Sequence, residues 1–206
     1  ASPPKRCLCS LFRFILPAVV ERLSDFISPT RLRDVPALHP FLARPDDALD
    51  FLDTGEQVPH GFTEFLASVD VVVIGRRTFE VVMKLGHLAL YGKKPVVVLS
   101  SRPLDLSSVA GENVEHTSGA PYEIKKQLKA RGFKHVYVDG GSTIQRFLAA
   151  GCIDRLVITR VPVLIGAGIA LFGPVPRDIW LRHIETRSYT GGLVQSEYEI
   201  DAGEHS

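Results

Sequence analysis

Cysteine, methionine and tryptophan are scarce in this chain: three, one and one among 206 residues. Cys7, Cys9 and Cys152 form an odd, widely spaced set. That excludes a disulfide framework and points to a reducing compartment. The Cys7-x-Cys9 pair has no second pair, and the seven histidines fall at no zinc spacing, so no metal centre is expected. An excess of charge is missing too. Lys and Arg number 24 against 23 Asp and Glu, a formal charge of +1. No general affinity for nucleic acid or an acidic membrane follows, and any anion must be held by a local site. Long hydrophobic runs are also lacking: none reaches the roughly 18–20 apolar residues of a transmembrane helix. Residues 7–20, after Lys5 and Arg6, loosely imitate a secretory signal, but Arg13 and Pro17 interrupt them. The expectation is a soluble, cytoplasmic protein with neither nucleic acid nor membrane as partner.

Several familiar site signatures are absent as well. Gly166-Ala167-Gly168 supplies half of a Gly-x-Gly-x-x-Gly fingerprint, but Leu171 takes its last position and no helix pattern follows. There is no Walker A lysine motif, no Gly-x-Ser-x-Gly elbow and no zinc-deaminase signature.

What is present is an ordinary globular composition, 45% hydrophobic and 23% charged. Its length suits one domain. Residues 1–35 read as an unassigned N-terminal extension with a short amphipathic helix over 18–27, where Val20, Leu23 and Ile27 share a face. Residues 36–206 read as the domain itself. Its first part, to residue 60, is rich in proline and aspartate and reads as loop, with room for one short strand or helix. Phe62, Phe65 and Leu66 suggest a helix. Short β-branched runs then predict buried strands over 71–74, 95–99, 136–138 and 156–164. Helices are predicted over 78–85, 122–131 and 143–150. Two last strands, 180–189 and 193–200, are joined at Gly191-Gly192 as a hairpin. Strands alternating with helices predict an α/β fold. It should have a mixed, mostly parallel sheet flanked by helices, with an antiparallel hairpin at the C-terminus.

Three strand ends share a design, and ligands of open α/β sheets sit at such ends. In the third, Val136-Tyr137-Val138-Asp139 runs into Gly140, Gly141, Ser142, Thr143 and Ile144. Two glycines admit a close ligand, and the following helix start offers free N–H groups and a positive dipole end to a pyrophosphate. A tight turn with an ordinary Ser or Thr cap would read the same way. In the first, Gly75, Arg76, Arg77 and Thr78 follow Val71–Ile74 of the chain. Two arginines at a positive helix end make most sense with an anion between them, while two solvated arginines are the plainer reading. In the second, Ser100, Ser101 and Arg102 precede Pro103. Two hydroxyls and a guanidinium suit a phosphomonoester such as an adenosine 2′-phosphate.

Taken in this order, the three ends resemble the dihydrofolate reductase-like superfamily, and most of all the reductase domain of riboflavin biosynthesis with its stand-alone bacterial relatives. Further matching pieces are Phe41-Leu42-Ala43-Arg44-Pro45-Asp46, Gly75-Arg76-Arg77-Thr78-Phe79-Glu80 and Thr159-Arg160-Val161-Pro162-Val163-Leu164-Ile165-Gly166. The resemblance spans residues 36–200. It implies NADPH as cofactor, hydride transfer from the nicotinamide and a homodimer. It places the 2′-phosphate near Arg76, Arg77, Ser101 and Arg102, and the pyrophosphate at Gly140, Gly141, Ser142 and Thr143. The implied substrate is a small molecule, a pyrimidine bearing a ribose phosphate or a pterin. Dihydrofolate or pteridine reduction is the alternative activity, and NADPH binding without turnover a further one. His39, Asp47, Asp50, Glu64, Leu164 and Gly166 are candidates for the substrate cleft, and no residue stands out as catalytic acid. The chain departs from the family at one place. Where relatives carry a first strand ending in Asp-Gly, it reads Val35-Pro36-Ala37-Leu38-His39-Pro40. Prolines remove ladder donors, so that strand is expected to be displaced, supplied by another segment, or missing.

Overall fold

The computed structural model describes residues 41–52 and 61–201, together with two strands ahead of them, β1 (Phe12–Arg13) and β2 (Ile15–Val19). The later elements are β3 (Phe41–Ala43), α1 (Phe62–Ala67), β4 (Val71–Gly75), α2 (Arg76–Lys84), β5 (Val96–Leu99), β6 (Val114–Thr117) and α3 (Pro121–Ala130). They are followed by β7 (Val136–Asp139), α4 (Gly141–Ala149), β8 (Arg155–Arg160), β9 (Ile169–Ala170), β10 (Leu181–Ser188) and β11 (Val194–Ile200).

The expected α/β architecture is present. A parallel sheet runs in the order β1-β7-β4-β5-β6, and a second sheet runs β10-β11-β8-β2. A short antiparallel ribbon pairs β3 with β9. The C-terminal hairpin forms as the glycine pair predicts: Gly191 and Gly192 both take positive φ, and the Tyr189 N–H donates to the Leu193 carbonyl at 2.8 Å.

Period-two alternation sorts the central strands onto two helical layers. Val71, Val73, Val97, Leu99, Val136 and Val138 face α3 and α4, packing on Ile124, Leu128, Ile144 and Phe147. Val72, Ile74, Val96, Val98 and Tyr137 face the other way, onto Phe65 of α1, Phe79 of α2 and Tyr91. Tyr91 ends a 3₁₀ turn, His87–Tyr91. Burial on both faces explains why these strands are continuous apolar runs. Each fully buried valine contributes on the order of 1.5–3 kcal/mol.

The structure departs from the sequence-based expectation at four places. First, Ala18 and Val19 belong to strand β2, not to the predicted helix over 18–27, whose remaining residues lie outside the described ones. Second, β1 pairs parallel with β7 and β2 parallel with β8, so a segment ahead of residue 36 supplies the strand between them. The proline-rich stretch 35–40 lies outside the described residues. Third, β8 stops at Arg160, well short of 164. Pro162 has no N–H for a ladder, and the Val163 N–H folds back onto the Val161 carbonyl at 2.8 Å. Fourth, β6 and β9 add strands where no strand was expected, whereas β3 is the one short strand for which the loop-rich stretch to residue 60 left room.

Candidate functional site

The parallel sheet has a switch point. From β4 the chain passes through α2 to β5 on one side, whereas β7 lies against the opposite edge of β4. Ligand crevices of open α/β sheets form at the carboxyl ends of strands flanking such a point. Here those ends are Gly75 and Asp139-Gly140.

The two turns interlock. A Cβ on Gly75 would stand 2.5 Å from the Thr143 hydroxyl oxygen. A Cβ on Gly140 would collide with the Thr78 hydroxyl and lie 3.2 Å from the Thr78 Cβ. Thus each strand end sits against the first turn of the other strand's helix. Gly140 also has φ +94, a conformation that side chains with a Cβ avoid. Neither α2 nor α4 has a side-chain cap. The helices start at Arg76 and Gly141, so Thr78, Ser142 and Thr143 lie inside first turns, and neither Ser142 nor Thr143 is the cap that the sequence allowed. The first N–H groups of a helix have no intrahelical acceptor and mark a place for an anion. Two such starts lie side by side here. Ser142 is exposed, whereas Thr143 and Ile144 are buried, Ile144 in the core.

The arginines have protein partners. Arg76 Nε donates to Glu80 Oε1 at 2.7 Å, and its Nη1 to the Pro103 carbonyl at 3.2 Å. Arg77 Nε donates to Asp47 Oδ2 at 2.8 Å, and its Nη2 bonds the same oxygen. The anion inferred between the two arginines is therefore replaced by two carboxylates, one for each. Arg76 is nonetheless drawn to the second strand end, where Ser100–Pro103 forms a tight turn. The Ser100 hydroxyl donates to the Arg102 carbonyl at 2.8 Å and accepts the Arg102 N–H at 3.1 Å. His116 Nε2 lies 2.9 Å from the Ser100 carbonyl. Ser101 and Arg102 are exposed beside it.

The cleft candidates do not gather into one cluster. Asp50 is exposed and bound by Arg44 at 2.6 and 2.9 Å, which holds its carboxyl below the usual carboxylate value. Asp47 holds Arg77 instead, and Glu64 is exposed on α1. Leu164 and Gly166 are exposed on the segment after β8, whose Val161 and Ile165 pack inward with Phe51 and Leu193. His39 lies outside the described residues. The β3–β9 ribbon closes over the start of α4: a Cβ on Gly141 would be 3.1 Å from Leu42 Cδ2.

A half-buried carboxylate without a role in the sequence-based expectations, Asp139, lies at the end of β7. Asp139 Oδ1 accepts the N–H of Gly140 at 2.7 Å, and Oδ2 accepts the Tyr91 hydroxyl at 3.3 Å. The Tyr137 hydroxyl bonds the same carboxylate. Burial pushes the Asp139 carboxyl up, against the pull of these donors, and burial pushes the Tyr91 hydroxyl up as well.

This arrangement, a parallel sheet with glycine turns and helix starts at its switch point and an antiparallel hairpin beside it, is that of the dihydrofolate reductase-like superfamily. The chain belongs to the RibD C-terminal domain family, which it matches over residues 52–195. It is 30% identical to a solved protein of Shewanella sp. PV-4 that bears the name "Putative riboflavin biosynthesis protein", with a TM-score of 0.77 over 93% of this chain and 99% of that one. The diaminohydroxyphosphoribosylaminopyrimidine deaminase/5-amino-6-(5-phosphoribosylamino)uracil reductase of Thermotoga maritima shares the fold, with a TM-score of 0.65 at 14% identity over 93% of this chain and 57% of that one. Uncharacterized protein YwjB of Bacillus subtilis (strain 168) is 29% identical over 164 residues, 79% of this chain and 92% of that one. Among the described residues, no helix is long and apolar enough to cross a membrane, and no group of side chains is suited to a metal ion.

Proposed function

We propose that this protein is an NADPH-dependent reductase that delivers hydride to a pyrimidine carrying a ribose phosphate, most like 5-amino-6-(5-phosphoribosylamino)uracil reductase. The observation that carries the reading is the pair of interlocked glycine turns, Gly75 against Thr143 and Gly140 against Thr78, with two uncapped helix starts beside them. The donor set suits the group. First-turn N–H groups of α4 and the Ser142 hydroxyl would hold the pyrophosphate. Ser101 and Arg102, with Arg76 drawn against their turn, would hold the 2′-phosphate. Arg77 contributes less, because Asp47 already takes its guanidinium.

NADPH, when bound, supplies the hydride. The chain's part is to bind and orient. The sheet's carboxyl edge fixes the adenosine half, and the segment carrying Leu164 and Gly166 borders the cleft in which a substrate carbonyl or imine would lie near the nicotinamide. The placement of β1 and β2 between β7 and β8 supports a substrate side that is built, since the altered stretch before Phe41 does not have to supply that strand. The protein is expected to work as a homodimer.

The test is turnover. The purified protein is incubated with NADPH and a ribosylaminopyrimidine phosphate, and loss of the reduced nicotinamide is followed against dihydrofolate and a pterin. Consumption with the pyrimidine alone supports the assignment. Consumption with a pterin alone replaces it by pteridine reduction, and tight binding without consumption replaces it by a non-catalytic binder.

A further inference from the structure

Asp139 has more hydrogen-bond donors than a turn requires. Asp139 is half-buried at the end of β7, and its carboxylate receives the Gly140 N–H, the Tyr91 hydroxyl and the Tyr137 hydroxyl. Taking a carboxylate out of water is costly unless it is bonded on both oxygens, and that condition is met here. The donors come from separate parts of the chain. Tyr137 lies two residues earlier on the same strand and so shares the face of Asp139. Its ring is held edge-on against Phe65 at 5.1 Å. Tyr91 arrives from the turn after α2 and is buried in the same layer. The N–H that the carboxylate captures belongs to Gly140, whose φ of +94 sets the direction in which α4 leaves the strand. A hydroxyl in the α2 layer is thereby linked, through one carboxylate, to the backbone of the proposed pyrophosphate turn.

We propose that Tyr91 and Asp139 are positioning residues for the dinucleotide: Tyr91 fixes the Asp139 carboxylate, and Asp139 fixes the Gly140 N–H, so that the start of α4 is preset for a pyrophosphate. The proposal rests on the cofactor reading above and adds to it a residue 48 positions away from the turn it controls. Neither side chain contacts the ligand in this account, and both act through Gly140.

The experiment uses the full chain and two probes, NADPH and adenosine 2′-monophosphate. The second probe carries the phosphate assigned to the Ser100–Arg102 turn and has no pyrophosphate. Tyr91→Phe keeps the ring and removes only the hydroxyl. It is expected to weaken NADPH about 2- to 10-fold, the range of one net hydrogen bond, and to leave adenosine 2′-monophosphate unchanged. Asp139→Asn retains an acceptor for the Gly140 N–H and is expected to bind NADPH no worse than the parent, whereas Asp139→Ala weakens it. Equal weakening of both probes by Tyr91→Phe, or undiminished NADPH binding in both Tyr91→Phe and Asp139→Ala, would overturn the proposal. Failure of the unaltered protein to bind NADPH is a different result: it removes the cofactor reading itself, and the positioning role falls with it. Should Asp139→Ala not fold, the Tyr91→Phe comparison decides alone.

Discussion

The hydroxyl of Thr143 occupies the space that a side chain on Gly75 would need, 2.5 Å from the position of its Cβ. Gly75 closes β4 and Thr143 lies in the first turn of α4. The contact therefore fixes how the two strand ends at the switch point meet.

A methyl group at Gly75 tests this directly. Gly75→Ala is expected to lower stability by about 1–3 kcal/mol, the usual cost of overpacking. Combining it with Thr143→Ala removes the opposing oxygen and should recover part of the loss, giving a clear interaction energy between the two sites. Urea denaturation of the two single variants and the double variant measures it. Strict additivity would show that the turns do not touch.

The ion pairs divide the arginines. Arg77 is held by Asp47, while Arg102 is exposed and Arg76 leans against its turn. Arg102→Ala is expected to weaken NADPH about tenfold or more, the effect of a charge-assisted bond, with little change for NADH. Arg77→Ala should change NADPH affinity much less. Nucleotide titrations of both variants check the ranking, and a larger effect at Arg77 would reverse it.

Asp139 gives a pH signature. Burial raises its carboxyl above 3.8 despite the Gly140 N–H and the tyrosine hydroxyls. The fold therefore favours the protonated acid, and the stability tied to this group is complete below the ordinary carboxylate value and lost as pH rises through the raised one. Asp139→Asn does not titrate. Relative to that variant, the parent should lose unfolding free energy as pH rises above the ordinary carboxylate value. Parallel stability profiles would contradict this.

The N-terminal strands can be tested by truncation. Removing residues 1–20 deletes β1 and β2 and bares the edges of β7 and β8 that they cover. Bare edges are sites for association. The shortened chain is expected to melt at lower temperature and to self-associate, measured by thermal denaturation and light scattering. An unchanged melting temperature would show that the two strands add nothing to the sheets.

The legible parts of this fold are those where one local pattern decides the outcome. Val71–Ile74 of β4, Val96–Leu99 and Val136–Val138 of β7 are β-branched or apolar runs that only a doubly covered strand can bury, and they are strands. β6 escaped because Val114-Glu115-His116-Thr117 is a half-exposed edge with one strongly apolar residue. β1 and β2 escaped because Arg13 and Pro17 look wrong for strands when their partners, 120 and more residues later, are unknown. The glycine turns and their hydroxyl neighbours were visible as a motif. Their interlocking was not, because Gly75 meets Thr143 and Gly140 meets Thr78 only once β7 lies beside β4. The arginines were overread for the same reason: Glu80 lies one helical turn away and could have been paired from sequence, but Asp47 reaches Arg77 only through the folded ribbon. The Tyr91–Asp139 bond likewise joins residues that no local pattern connects.

The central claim is a preformed site for a nucleotide bearing a 2′-phosphate, and one titration tests it most directly. NADPH and NADH are added to the unaltered protein at low and high salt, with binding followed by nicotinamide fluorescence. The account requires NADPH to bind more tightly than NADH, with a preference that shrinks as salt screens Arg76 and Arg102. Equal affinity for the two, or no binding of either, would contradict it.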